Sequence, residues 1–201
     1  MRWRRRTSNP VRMRKELIEK SKFLSLVLRH DPGSIGVALD AQGWVDVGAL
    51  LRAAAERGTA LSRDELLEIV ATNPKRRFDL DVTGNRIRAN QGHSVEVDLA
   101  LPPVVPPELL YHGTARIHLD SIRQGGLQRG QRQHVHLSAD PDTARAVGQR
   151  HGSPVVLRVA SGRWHRAGAI FYLAKNGVWL TEQVPAEYLE IDGEGQGAEL
   201  R

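Results

Sequence analysis

Cysteine is absent from the 201-residue chain, which removes disulfides, thiolate nucleophiles and Cys-ligated zinc and is compatible with a reducing cytoplasm. There is no apolar run long enough to cross a bilayer. The Arg-rich start, residues 1–14, lacks the apolar stretch of a secretory signal, so a soluble, cytoplasmic protein is expected. Neither G-x-G-x-x-G nor G-x-x-x-x-G-K-[ST] occurs, which leaves a Rossmann cofactor site and a P-loop without support. A repeat of fixed period is also missing. Basic residues are in surplus: 29 Lys and Arg against 23 Asp and Glu give a formal charge of +6. Such a surface attracts polyanions, so nucleic acid or a nucleotide is the first partner to consider, with a merely basic soluble protein as the alternative.

Between these absences the chain reads as two lobes. In residues 15–29, Leu17, Leu24 and Leu28 share one helical face, widened by Phe23 and Val27, and Asp31-Pro32-Gly33 ends the helix near His30. Asp46 caps a second expected helix reaching Arg57. Ser62 and Glu65 form a capping-box pattern for a third that stops before Pro74. Two strand-like runs, 77–80 and 86–88, flank Thr83-Gly84-Asn85 and read as a hairpin. Clustered prolines at 101–107 predict an extended linker. Beyond it, strands are expected at 109–111, 134–137, 155–159, 170–173 and 178–180, with helices at 117–123 and 143–150 and a hairpin turn at Asn176-Gly177. The expected division is thus a basic tail at 1–14, a first lobe at 15–100, the linker, a second lobe at 108–192 and a flexible tail at 193–201.

Four features carry candidate chemistry. Arg29 and His30 adjoin at a helix end; they are either exposed cations complementing the helix dipole or a phosphate fork beside a proton-transfer imidazole. Arg77 and Arg132 are further phosphate-binding candidates, with solvated surface charge as the plain alternative. Arg88, Asn90, His93 and Ser94 group donors around Gly92, as an RNA or phosphate contact or an ordinary polar turn. Finally, Tyr111-His112-Gly113-Thr114 reads as a His-Gly-Thr turn beside a strand on which His134 and His136 share one face. Two histidines without a carboxylate partner are an incomplete zinc set, so no metal is expected and a nucleotide is preferred.

In order, Ser21-Lys22-Phe23-Leu24-Ser25, Leu28-Arg29-His30-Asp31-Pro32, Ile87-Arg88-Ala89-Asn90-Gln91-Gly92-His93-Ser94, Tyr111-His112-Gly113-Thr114, Gln133-His134-Val135-His136-Leu137-Ser138 and Asn176-Gly177-Val178-Trp179-Leu180-Thr181 resemble the Tpt1/KptA family of NAD-dependent tRNA 2′-phosphotransferases. The resemblance spans roughly residues 15–190. It implies an α+β fold, with an N-terminal winged-helix-like RNA lobe followed by a C-terminal ADP-ribosyltransferase-like mixed β lobe and the active site in the cleft between them. An Arg-His-Arg-Arg tetrad would fall on Arg29, His30, Arg77 and Arg132, with Arg76 as the one-residue alternative to Arg77. The cofactor-binding residues it implies are His112, His136 and Val178, with Gly113, Thr114 and Ser138 adjoining them.

The implied reaction consumes NAD and needs no metal. An internal RNA 2′-phosphate attacks the nicotinamide-bearing ribose carbon, giving 2′-phospho-ADP-ribosylated RNA. The ribose 2″-hydroxyl then attacks phosphorus, releasing 2′-OH RNA and ADP-ribose 1″,2″-cyclic phosphate. Arginines would stabilise charge on the phosphate oxygens, and His30 would move a proton at an oxygen left open. One alternative is an ADP-ribosyltransferase acting on terminal phosphates of RNA or DNA. A more distant one is a non-catalytic winged-helix regulator. A tRNA-like RNA, NAD and a monomeric state are the expected partners and assembly.

Overall fold

The computed structural model describes residues 14–192, so residues 1–13 and 193–201 of the two expected tails lie outside the described residues. Among the described residues the fold is mixed α+β, with six α-helices and several small antiparallel sheets. The chain divides into two compact units, one ending at Asn90 and the other beginning at Gln91.

In the first unit, α1 (Lys15–Arg29) buries Leu17, Leu24, Val27 and Leu28 completely. These are the stripe its spacing predicts. They pack with Leu50 of α2 (Val47–Glu56), Leu66 and Ile69 of α3 (Arg63–Thr72) and Ile87 into one cluster. Truncating any one of these leucines to Ala costs about 2–5 kcal/mol. Both expected caps form: Asp46 accepts from the Ala49 N–H at 2.7 Å, and Ser62 and Glu65 exchange side-chain and backbone bonds. Strands β1 (Val45–Asp46), β2 (Phe78–Leu80) and β3 (Arg86–Ala89) make an antiparallel sheet in the order β1-β3-β2. Arg77, expected as the first strand residue, lies just before β2.

The second unit contains β4 (Leu110–Ala115), α4 (Leu119–Gly125), β5 (Leu127–Gln128), β6 (Val135–Leu137), α5 (Pro141–Gly148), β7 (Pro154–Val159), α6 (Ser161–Arg166), β8 (Tyr172–Leu173), β9 (Trp179–Thr181), β10 (Gln183–Val184) and β11 (Leu189–Ile191). Its sheets run β11-β7-β4, β6-β9-β8 and β10-β5. A two-way backbone bridge between Tyr111 and Ser138, 2.9 and 2.8 Å, ties the first of these to the second. Leu110, Leu137, Val159, Phe171 and Val184 lie at the centre of its core.

The structure departs from the sequence expectations at two segments and adds four short elements. The His112-Gly113-Thr114 stretch is strand, not turn: β4 continues to Ala115 and pairs along its full length with β7. Glycine is there because a Cβ on Gly113 would lie 1.7 Å from the Ala144 carbonyl oxygen of α5, a contact no side chain survives. The prolines at 101–107 do not form a free spacer. Val104 N–H bonds Phe171 O at 2.8 Å, Pro107 O accepts from Ser161 Oγ at 2.7 Å, and Pro103 bridges Tyr172, all within the second unit. Proline lacks a donor but keeps its carbonyl, which suffices on an edge. Finally, the sequence predicts none of α6, β5, β10 and β11, since strands of two or three residues and a helix of under two turns carry no readable period.

Candidate active site

Strand β6 holds the centre of the candidate site. The Arg132 guanidinium, just before the strand, donates to His136 Nδ1 at 3.0 Å. Arginine has no acceptor, so His136 Nδ1 must accept and its proton sits on Nε2. The His136 carbonyl in turn accepts from His112 Nδ1 of β4 at 3.0 Å. That bond makes Nε2 of neutral His112 an acceptor. Burial lowers the His112 pKa, and the nearby Arg132 charge acts in the same direction against the backbone bond, so the ring favours its neutral form at neutral pH. One imidazole thus offers an acceptor and its neighbour a donor, with both tautomers set by the protein. Such a pair suits vicinal hydroxyls of a ribose.

Strand pairing collects the neighbouring candidates. The Tyr111–Ser138 bridge sets Ser138 beside the His112 strand, and the Leu137–Trp179 register places Ser138 and Val178 at the same end of the β6–β9 pair. Thr114 is buried in β4. Gly113 is accounted for by packing against α5, where a Cβ on Gly148 would likewise lie 2.7 Å from Thr114 O. His134 lies immediately before β6, and burial lowers its pKa first, with the Arg129 charge adding to the shift. A small cavity joins His134, His136 and Gln133 to His93, which is 1% exposed and whose carbonyl accepts the Gln133 N–H. His93 is therefore an enclosed residue, while its neighbour Ser94 is exposed. Among the described residues, no group of three or more His, Cys, Asp or Glu side chains is placed to hold a metal.

The remaining candidates belong to the first unit. Arg29 is the last residue of α1 and half-buried; His30 caps that helix through its N–H to Leu26 O and is exposed. Arg77 is half-buried before β2, whereas Arg76 is exposed with φ +41. Asn90 brackets both: its side-chain amide donates to Arg76 O at 2.6 Å and its backbone N–H to Arg77 O at 2.9 Å. The expectation that Asn90 contacts RNA therefore meets a side chain engaged with its own backbone, and Asn90 is only 7% exposed. Arg88 stacks over Trp44 at 4.5 Å and donates to Gln42 O.

One pair went unnoticed in the sequence. Buried Asn73 donates to Ser21 of α1 at 3.0 Å and accepts from Lys75 N–H, while its carbonyl takes the Arg76 N–H. It links the helix bearing Arg29 to the loop bearing Arg77. Asn73-Pro74 signals only a turn, and nothing in the local pattern points to Ser21 as the partner.

The model of the RNA 2′-phosphotransferase, Tpt1/KptA family matches residues 15–183. A Hahella chejuensis protein named probable RNA 2′-phosphotransferase is 55% identical over 179 residues, 89% of this chain and 96% of its own length. Proteins of the same name from Agrobacterium fabrum and Nostoc punctiforme are 57% and 52% identical, covering 87% of this chain and 94% and 96% of their own lengths. With near-complete coverage on both sides, the chain belongs to the Tpt1/KptA family of RNA 2′-phosphotransferases.

Proposed function

We propose that this protein is an NAD-dependent RNA 2′-phosphotransferase that removes an internal 2′-phosphate of the tRNA splice-junction type. The observation that carries this reading is the Arg132–His136–His112 hydrogen-bonded chain, which supplies a cation for phosphate and a matched donor and acceptor for ribose. Family membership supplies the RNA substrate class. In this reading the first unit is a winged-helix-like RNA lobe, supported by its helix-strand-helix-helix-hairpin order and β1-β3-β2 sheet. The second is an ADP-ribosyltransferase-like lobe, supported by its bridged antiparallel sheets.

NAD fits the residues present: His112 and His136 address ribose hydroxyls, Ser138 and Val178 lie at one end of the β6–β9 pair, and Thr114 is buried further along β4, with Gly113 keeping α5 close behind that strand. When bound, it supplies an electrophilic ribose carbon with nicotinamide as leaving group. The chain's own part is positional and electrostatic. A phosphate oxygen is already anionic and needs orientation more than a base, so Arg132 of the second unit would offer it a planar donor fork, and Arg29 and Arg77 of the first unit are the further phosphate-gripping candidates. His30, exposed at the end of α1, would move a proton at a substrate oxygen. His112 favours its neutral form, which would let Nε2 accept from a hydroxyl without placing a second positive charge beside the cationic nicotinamide ring of bound NAD.

The test is to incubate the protein, EDTA and NAD with a short RNA carrying one internal 2′-phosphate, and to weigh both products. Unmodified 2′-OH RNA with free nicotinamide and ADP-ribose 1″,2″-cyclic phosphate is the expected result. RNA that ends up permanently carrying ADP-ribose would indicate the terminal-phosphate transferase instead, and no nicotinamide release would remove the enzyme reading altogether.

A further inference from the structure

The second unit contains a pocket that the proposed chemistry leaves unused. It encloses about 420 Å³ and is lined by Arg129, Gln133, His134, Trp164, Tyr172 and Glu182 among others. None of the residues assigned to NAD lines it. The volume lies near the lower end of small-molecule sites, suited to one nucleoside rather than a dinucleotide.

Its walls are built in advance. Trp164 Nε1 is tied to Gln183 O at 3.3 Å, and the indole leans on Tyr188 with ring centroids 4.7 Å apart. Thr181 Oγ1 holds Ile170 O at 3.0 Å, and His165 Nδ1 holds Ala169 O at 2.8 Å, fixing the loop that leads into β8. The His134 ring meets Tyr172 edge-on at 5.7 Å. The polar lining is mixed in sign: Arg129 donates, Glu182 accepts, and Gln133 and Gln183 do both. A phosphate would favour cations alone; a flat heterocycle with donors and acceptors on its edge matches aromatic walls with a mixed rim.

The position narrows the occupant further. His134 lines both this pocket and the small cavity shared with His136. At about 3.3 Å per strand residue, the pocket opens within about 7 Å of the Arg132–His136 pair along the strand, inside the reach of one extended nucleotide. We propose that the Trp164–Tyr172–Glu182 pocket receives an unpaired nucleobase of the RNA next to the 2′-phosphorylated nucleotide, and so selects single-stranded or splayed junctions. This inference rests on the RNA-phosphotransferase reading above and adds a base subsite to it.

The experiment separates the two. Binding of a labelled short RNA with an internal 2′-phosphate is followed by fluorescence anisotropy with NAD omitted, so turnover is not required. Three RNAs are compared: all bases present, abasic on the 5′ side of the phosphorylated nucleotide, and abasic on the 3′ side. One abasic substitution should weaken binding roughly tenfold, the size of a base–aromatic stack. Tyr172→Leu and the exposed Glu182→Gln should each weaken the complete RNA, yet cost nothing further on that abasic RNA. Glu182→Gln removes a surface charge and leaves the fold alone, and a thermal melt of Tyr172→Leu checks that it is folded. Equal losses on complete and abasic RNA would overturn the proposal. So would variants that raise the KM for NAD while leaving RNA binding unchanged, because the pocket would then serve the dinucleotide. Failure of the wild-type protein to release nicotinamide would sink the enzyme reading alone, since the base dependence of binding is read without it.

Discussion

Replacing Asn90 by Ala tests whether this residue acts on RNA or through the backbone it holds. The side-chain amide makes a 2.6 Å bond to Arg76 O, and losing such a bond costs about 0.5–1.5 kcal/mol. Arg76 is held at φ +41, a left-handed conformation that costs a non-glycine residue roughly 1–2 kcal/mol. Release of the tether lets that strain relax, so the two terms nearly cancel and the melting midpoint should move by no more than a few degrees. Activity should respond far more. Arg77 follows directly, and a shift of about 1 Å in a positioning group costs up to ~10²-fold in rate. The expected result for Asn90→Ala is a 10- to 100-fold loss in kcat/KM on 2′-phosphorylated RNA, with little loss of stability. Glycine adopts positive φ without steric cost, so Arg76→Gly in the same chain should recover most of the activity. The assay is steady-state nicotinamide release, with a thermal melt on each variant. If Arg76→Gly gives no recovery, or if Asn90→Ala leaves the rate intact, the backbone account is refuted and direct contact or irrelevance takes its place.

Other consequences follow from single contacts. Gly113→Ala would force a Cβ to 1.7 Å from Ala144 O, which requires β4 and α5 to separate; a loss of at least about 3 kcal/mol in denaturant unfolding is expected, and a neutral outcome would contradict the packing account of this glycine. Ser21→Ala removes the acceptor of buried Asn73, and should destabilise by about 1–3 kcal/mol in the same measurement. His112 has a native pKa below its usual 6.5, so the unfolded chain binds the extra proton first; stability is full above about pH 6.5 and declines as pH falls toward the depressed native value. His112→Gln should flatten that part of the stability–pH curve, and an unchanged slope would mean that another group, such as His134, produces it. Arg132→Gln should lower kcat and allow His136 to exchange tautomers, which ¹⁵N shifts of the imidazole would report.

Several features were legible locally because each depends on a few neighbouring residues. The α1 stripe, the Asp46 and Ser62 caps, the Asp140–Pro141 start of α5 and the Asn176-Gly177 turn all formed where the residues pointed. Their determinants are steric or hydrogen-bonding rules acting within one turn of chain. The ordered motifs likewise carry the resemblance to the Tpt1/KptA family, which the family match over residues 15–183 bears out. Other features have determinants that are distant in sequence. The glycine after His112 looked like a turn signal, yet its cause is a helix some thirty residues on that would collide with any Cβ, as the Ala144 contact makes plain. Strand β11 has no period of its own and exists because β7 offers it an edge.

The candidate site divides in the same way. Residue types and order named Arg132, His136 and His112, because chemistry of phosphate and ribose calls for guanidinium and imidazole. Only the tertiary structure decided that Arg132 N–H and the His136 carbonyl set the two ring tautomers, and that Asn90 faces its own chain. Identity of a side chain is a property of sequence; its protonation and hydrogen-bond partners depend on which distant groups folding brings within about 3 Å of it.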